Sequence, residues 1–79
     1  MATTYQAPAI RRAALILERL SESTQPPTLS ELSRALGYGK STVHGLLQCL
    51  ESLGWVARAG NRYRVGPGLL ELVRRAAVA

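Results

Sequence analysis

Apolar side chains recur at helical spacing early in the chain. Ile10, Ala13, Ile16, Leu17 and Leu20 fall on one face, and Pro8 suits the first turn, where its missing amide leaves no bond unmade. An amphipathic helix is expected from Pro8 to about Ser23, with Arg11, Glu18 and Glu22 on the opposite face. Gln25-Pro26-Pro27 then enforces an extended connection, because proline disfavours helix for itself and for the residue before it. Thr28-Leu29-Ser30-Glu31 has the form of a capping box: the Thr28 hydroxyl can accept from the Glu31 amide while the Glu31 carboxylate reaches back to the Thr28 amide. A short second helix is expected to follow, with Leu29, Leu32 and Leu36 on one face and Gly37 as its left-handed stop. Tyr38-Gly39-Lys40 separates that stop from Ser41, where a third helix begins; Val43, Leu46, Leu47 and Leu50 form its apolar stripe and Gly54 ends it.

Two short helices joined by a tight glycine turn must cross steeply, which is the helix-turn-helix arrangement. From Trp55 the period changes to two. Trp55 to Ala59 and Arg62 to Val65 flank Gly60-Asn61, a hairpin turn in which glycine supplies a positive φ. That turn sets Arg58 opposite Tyr63 and Val56 opposite Val65. Val56, Tyr63 and Val65 then face inward while Arg62 and Arg64 point toward solvent or a partner. Gly66-Pro67 breaks the hairpin, and Leu69, Leu70, Val73, Ala76 and Ala77 begin a fourth helix that carries no stop signal before Ala79. The expected fold is α+β, mainly α: a winged helix-turn-helix with a three-helix core, a two-stranded basic wing and a C-terminal linker helix. It divides into a flexible arm (1–7), the winged domain (8–66) and the start of the linker helix (67–79). The apolar face of that last helix exceeds what so small a domain can cover, which points to a partner helix.

Length sharpens the picture by exclusion. A chain of 79 residues forms one small domain, burying only about 60% of its unfolded surface; a two-domain enzyme is excluded. No stretch free of charged residues exceeds ten, whereas a membrane-spanning helix needs about 20 apolar residues. The N-terminus lacks the basic start and apolar run of a secretory signal. One cysteine, Cys49, excludes an internal disulfide, and one Cys with one His cannot complete a structural zinc site. A cytoplasmic domain without membrane, metal or cofactor is expected.

Charge adds a partner. Ten lysines and arginines against five glutamates, with no aspartate, give a net +5, which suits a polyanion. Residues 1–31 are neutral, with Arg11, Arg12 and Arg19 balanced by Glu18, Glu22 and Glu31. Residues 32–70 hold Arg34, Lys40, Arg58, Arg62 and Arg64 against Glu51 alone, a net +4. The excess therefore lies on the elements that a winged helix presents to a duplex.

Those elements also carry the candidate contacts. Lys40, Ser41 and Thr42 stand at the start of the third helix, where free amides and the helix dipole favour phosphate; the plainer role for Ser41 or Thr42 is helix capping. His44 and Gln48 lie four apart on one face, within reach of base edges, and Gln can read adenine through two bonds. Arg58, Arg62 and Arg64 suit phosphate or the minor groove, and Arg34 is a further phosphate candidate. Gly39-Lys40-Ser41-Thr42 mimics the end of a nucleotide-binding loop, but Arg34 occupies the position where that pattern needs glycine, and no strand precedes it. No catalytic constellation exists either: His44 and Cys49 are about 140° apart around a helix axis, and Cys49 is expected to be a small helix-packing residue.

Arg12-Ala13-Ala14-Leu15-Ile16-Leu17, Thr28-Leu29-Ser30-Glu31-Leu32, Lys40-Ser41-Thr42-Val43-His44-x-Leu46-Leu47, Leu53-Gly54-Trp55-Val56 and Arg62-Tyr63-Arg64-Val65-Gly66-Pro67 occur in order over residues 8 to about 75. Together they resemble the N-terminal domain of the IclR family of bacterial transcription regulators. The resemblance implies a winged-helix DNA-binding domain that dimerises and binds operators near promoters; family members usually carry a much larger effector-binding C-terminal domain, which is expected to be missing here. Two positions depart from the family pattern. Gly45 replaces a common arginine in the recognition helix, at about 1 kcal/mol of helix propensity relative to Ala, and Gly39 stands where proline is frequent.

The function expected is sequence-specific binding of double-stranded DNA in transcription regulation. The recognition helix, about 41–53, enters the major groove and the wing, 55–65, lies on the backbone. A homodimer through the first and C-terminal helices is expected, with any small-molecule effector acting only through a missing C-terminal domain. The alternative is a winged helix used as a protein-interaction module, in which the apolar faces matter and the basic wing is incidental.

Overall fold

In the computed structural model, which describes residues 6–78, the elements follow as α1 (Pro8–Glu22), α2 (Leu29–Leu36), α3 (Lys40–Ser52), β1 (Val56–Ala59), β2 (Arg62–Val65) and α4 (Pro67–Ala77). Four helices and a two-stranded antiparallel sheet make the mainly helical winged arrangement expected from the pattern. Residues 1–5 of the expected arm lie outside the described residues. Element bounds move by a residue in places: α3 begins at Lys40 rather than Ser41, because Gly39, extended at φ −63° and ψ 151°, serves as its N-cap.

The three apolar stripes converge on one core. Ile16 and Leu20 enter it from α1, Leu32 from α2, and Val43, Leu47 and Leu50 from α3; the wing adds Val56 and Tyr63. Ile16, Leu32, Val43 and Leu47 are fully buried. Each such side chain contributes about 1.5–3 kcal/mol relative to exposure. Leu29, Leu36 and Leu46 pack partly against this centre, so both helices of the helix-turn-helix keep their predicted inner faces.

Local signals hold the turn between them. Gly37 is left-handed at φ 76°, and its amide donates to the Ser33 carbonyl. The Ser33 hydroxyl donates to the Tyr38 carbonyl, and the Arg12 guanidinium lies 4.9 Å from the centre of the Tyr38 ring. The turn is thus tied both to α2 behind it and to α1 beneath it.

The wing has the expected register: Val56 pairs with Val65 and Arg58 with Tyr63, around a turn with Gly60 at φ 63°. An additional pairing joins it. Thr28 forms an antiparallel bridge with Arg62, and the Tyr63 amide donates to the Pro27 carbonyl at 2.9 Å, so the proline connector lies along the outer edge of β2. Beyond β2 the chain returns to the end of α3. The Gly66 amide donates to the Trp55 carbonyl and the Gly68 amide to the Gly54 carbonyl, both at 2.7 Å. A Cβ on Gly66 would collide with the Gly54 carbonyl, so this approach requires glycine. From there α4 leads away with none of its residues buried.

Candidate nucleic-acid interface

Because Val43, Leu47 and Leu50 turn one side of α3 inward, the opposite line at 3.6 residues per turn runs through Ser41, Gly45, Gln48 and Ser52. Lys40 and His44 lie along one flank of that line and Thr42 along the other. All are exposed except Thr42, which is half-buried. Ser52 turns back to donate to the Cys49 carbonyl, leaving Ser41 and Gln48 as the outward polar groups at the centre of the face. A Cβ at Gly45 would meet nothing within 4 Å, so between them the helix backbone itself forms the surface.

The two helices of the motif begin differently. At α2 the Thr28 hydroxyl accepts from the Glu31 amide and the Glu31 carboxylate accepts from the Thr28 amide. At α3 no side chain caps the helix and no acidic residue occupies the first turn. Simple capping by Ser41 or Thr42 is therefore not their role. The amides of Lys40, Ser41 and Thr42 precede the first intrahelical bond, from the Val43 amide to the Gly39 carbonyl, and remain free to meet an anion.

The basic residues of the wing are held in unlike ways. Arg58 lies 3.8 Å from Glu51 in the last turn of α3 and beside the Tyr63 ring, 6.0 Å from its centre. Arg62, expected to point away freely, is drawn back: its Nη1 donates to the Pro26 carbonyl at 2.7 Å and lies 3.6 Å from Glu31. Arg64 is exposed and has no ion pair or side-chain hydrogen bond among the described residues. Arg34, exposed on α2, lines a polar cleft of about 390 Å³ with Arg19, Glu31 and Arg62. The candidates therefore form four sets: the face of α3, Arg58 beside its far end, Arg34 with Arg62 around Glu31, and Arg64 by itself on β2.

Two features escape the sequence pattern. Arg12 shares a shallow depression with Pro8, Ser41, Thr42 and Gly45, which brings a basic residue of α1 beside the start of α3. On the other flank of α1, Ile10, Ala14, Leu17, Leu53 and Trp55 line an apolar groove of about 340 Å³. Cys49 is exposed on the wall of that groove instead of packing between helices. Leu70 and Val73 of α4 are also uncovered, 60% and 57% exposed. No helix among the described residues is long and apolar enough to cross a membrane.

Residues 9–60 match the family model of the IclR helix-turn-helix domain. The chain belongs to the IclR family. IclR-type helix-turn-helix domains bind DNA in transcription regulation, and the relatives of this one are regulators, not enzymes. The glycerol operon regulatory protein of Streptomyces coelicolor is 36% identical over 66 residues, which span 81% of this chain and 26% of that protein. The crystal structure of a transcriptional regulator from Alicyclobacillus acidocaldarius superposes with a TM-score of 0.89 at 36% identity, over 94% of this chain and 31% of that one. The repressor BlcR of Agobacterium tumefaciens gives a TM-score of 0.80, also at 36% identity, over 91% and 29%. This IclR-type chain thus spans about a quarter of the length of the curated relatives that it matches.

Proposed function

We propose that this chain binds double-stranded DNA sequence-specifically in bacterial transcription regulation, with α3 in the major groove and the β1–β2 hairpin along the neighbouring backbone. The observation that carries this reading is the exposed face of α3: an uncapped, acid-free N-terminus followed by Lys40, Ser41, Thr42, His44 and Gln48. A helix fits the major groove of B-DNA with its first residues toward the base edges. Lys40 and the first-turn amides meet phosphate, Ser41 and Thr42 donate to phosphate or bases, and His44 and Gln48 read base edges. Arg64 supplies a phosphate contact on the wing. Arg58 adds a second by exchanging Glu51 for phosphate, and Arg34 reaches a more distant one.

The domain acts in the cytoplasm as a homodimer through α1 and α4, whose apolar surfaces are left open in the single chain. Two copies set their α3 helices in successive major grooves about 34 Å apart. A small-molecule effector acts, on this reading, only through a C-terminal domain of the kind the family usually carries. A protein-interaction module would use the same apolar surface but would leave the acid-free face of α3 without a role. Selection from a random duplex pool tests the choice. Enrichment of a palindromic site with half-sites one helical turn or a multiple apart is expected; no enriched sequence, together with salt-insensitive capture of a protein, favours the interaction module.

A further inference from the structure

We propose that Arg62 positions the wing by bracing β2 against the start of α2, and does not itself hold a phosphate. The inference rests on the DNA-binding reading above. Arg62 and Arg64 lie two apart on β2 and so share one face of the strand. Alone of the two, Arg62 is engaged within the protein. Its Nη1 donates to the Pro26 carbonyl at 2.7 Å and stands 3.6 Å from Glu31 Oε1. That same Oε1 accepts the Thr28 amide at 2.8 Å. One carboxylate oxygen therefore serves both the cap of α2 and the wing arginine.

The backbone makes the junction a second time. Thr28 bridges to Arg62, and the Tyr63 amide donates to the Pro27 carbonyl. Pro26 and Pro27 have no amide, so this connector can offer β2 acceptors only, and a donor from the strand must fill them. Tyr63, the next residue, is buried in the core among side chains from α1, α2 and α3. Fixing Arg62 to the first residues of the helix-turn-helix thereby fixes the hairpin relative to α3, and with it the spacing between groove and backbone contacts. A charge-assisted bond to a carbonyl beside a carboxylate is stronger than a neutral one. A guanidinium that left for phosphate would break it and leave the Pro26 carbonyl to water.

DNA titrations across a salt series, made on Arg62→Ala, Arg62→Gln and Arg64→Ala, test the assignment at a temperature where far-UV circular dichroism shows each variant folded. Arg64→Ala is expected to reduce the slope of log K against log salt by about 0.9, the value for one phosphate. Arg62→Ala is expected to weaken binding about tenfold with the slope unchanged. Arg62→Gln, which keeps a donor for Pro26 but no charge, recovers part of that loss, and Arg64→Ala costs less affinity when combined with Arg62→Ala. A slope reduced by about one in both Arg62 variants, or Arg62→Ala binding like the wild type, overturns the proposal. A measurement without DNA separates it from the reading on which it rests: amide exchange in the free protein. Faster exchange at Thr28 and Tyr63 in Arg62→Ala, with Leu47 still protected, supports the brace; unchanged protection at Thr28 and Tyr63 overturns it, whatever the domain binds.

Discussion

Thr28 and Glu31 satisfy each other at the start of α2: the Thr28 amide donates to Glu31 Oε1 at 2.8 Å, and the Glu31 amide donates to Thr28 Oγ1 at 3.2 Å. The bond from the Thr28 amide holds the Glu31 carboxyl below the ordinary carboxylate range; desolvation opposes this, and the charges of Arg62 and Arg34 reinforce it. A carboxyl lowered in the folded state stabilises it above the unfolded pKa, and that contribution is lost as pH falls through the folded value. Melting temperature is therefore expected to fall on acidification through and below the ordinary carboxylate range. Glu31→Gln should melt lower at neutral pH and show a shallower acid decline. Parallel curves for the two proteins would place the acid sensitivity elsewhere.

Gly45 lies mid-helix on the open face of α3, and nothing stands within 4 Å of an added Cβ. Gly45→Ala is expected to stabilise the folded chain by about 1 kcal/mol through helix propensity. Thermal denaturation should show the midpoint raised by about 4–8 °C for a domain of this size. A lowered midpoint would mean that the helix backbone needs glycine there.

Leu70 and Val73 contribute nothing to the core of a single chain. Leu70→Glu combined with Val73→Glu should leave the far-UV spectrum and the wing intact while converting the proposed dimer to a monomer in sedimentation. A dimer that persists unchanged would remove α4 from the interface.

Lys40 and Gln48 occupy different parts of the same helix, Lys40 at its N-terminus and Gln48 about two turns on, and the proposed function gives the first a phosphate and the second a base edge. Lys40→Ala is expected to weaken binding about equally for all duplexes and lower the salt slope by about one. Gln48→Ala should relax preference at one base pair, a loss of about 1–3 kcal/mol of discrimination. Binding profiles over single-base variants of a selected site distinguish the two.

The helix-turn-helix was readable from the sequence because its signals are local. Thr28 and Glu31 are three apart, Gly37 stops α2 by its own φ, and the stripe from Val43 to Leu50 repeats within one helix. The hairpin was readable for the same reason: Gly60-Asn61 sets the register of every pair from Val56 to Val65. Contacts between distant segments were not. Arg62 and Pro26 are 36 residues apart, and no periodicity links them. The approach of Gly66 and Gly68 to Gly54 depends on where α4 returns, so Gly66-Pro67 reads in sequence only as a break. Cys49 looks like a packing residue beside Leu46 and Leu50, but whether it is covered depends on the angle between α1 and α3, which neither helix encodes alone. Within the candidate site, residue types were legible, whereas the internal partners of Arg58 and Arg62 required the tertiary fold.

On the proposed reading, the free first-turn amides and Lys40 of α3, with Arg58 and Arg64 of the wing, meet the phosphates of a duplex. Titration of the unmodified protein into a labelled duplex, repeated from low to physiological salt, measures this directly. A linear fall of log K with log salt, with a slope of about −0.9 for each phosphate neutralised, is predicted. Absence of binding at low salt, or an affinity that does not change with salt, would contradict it.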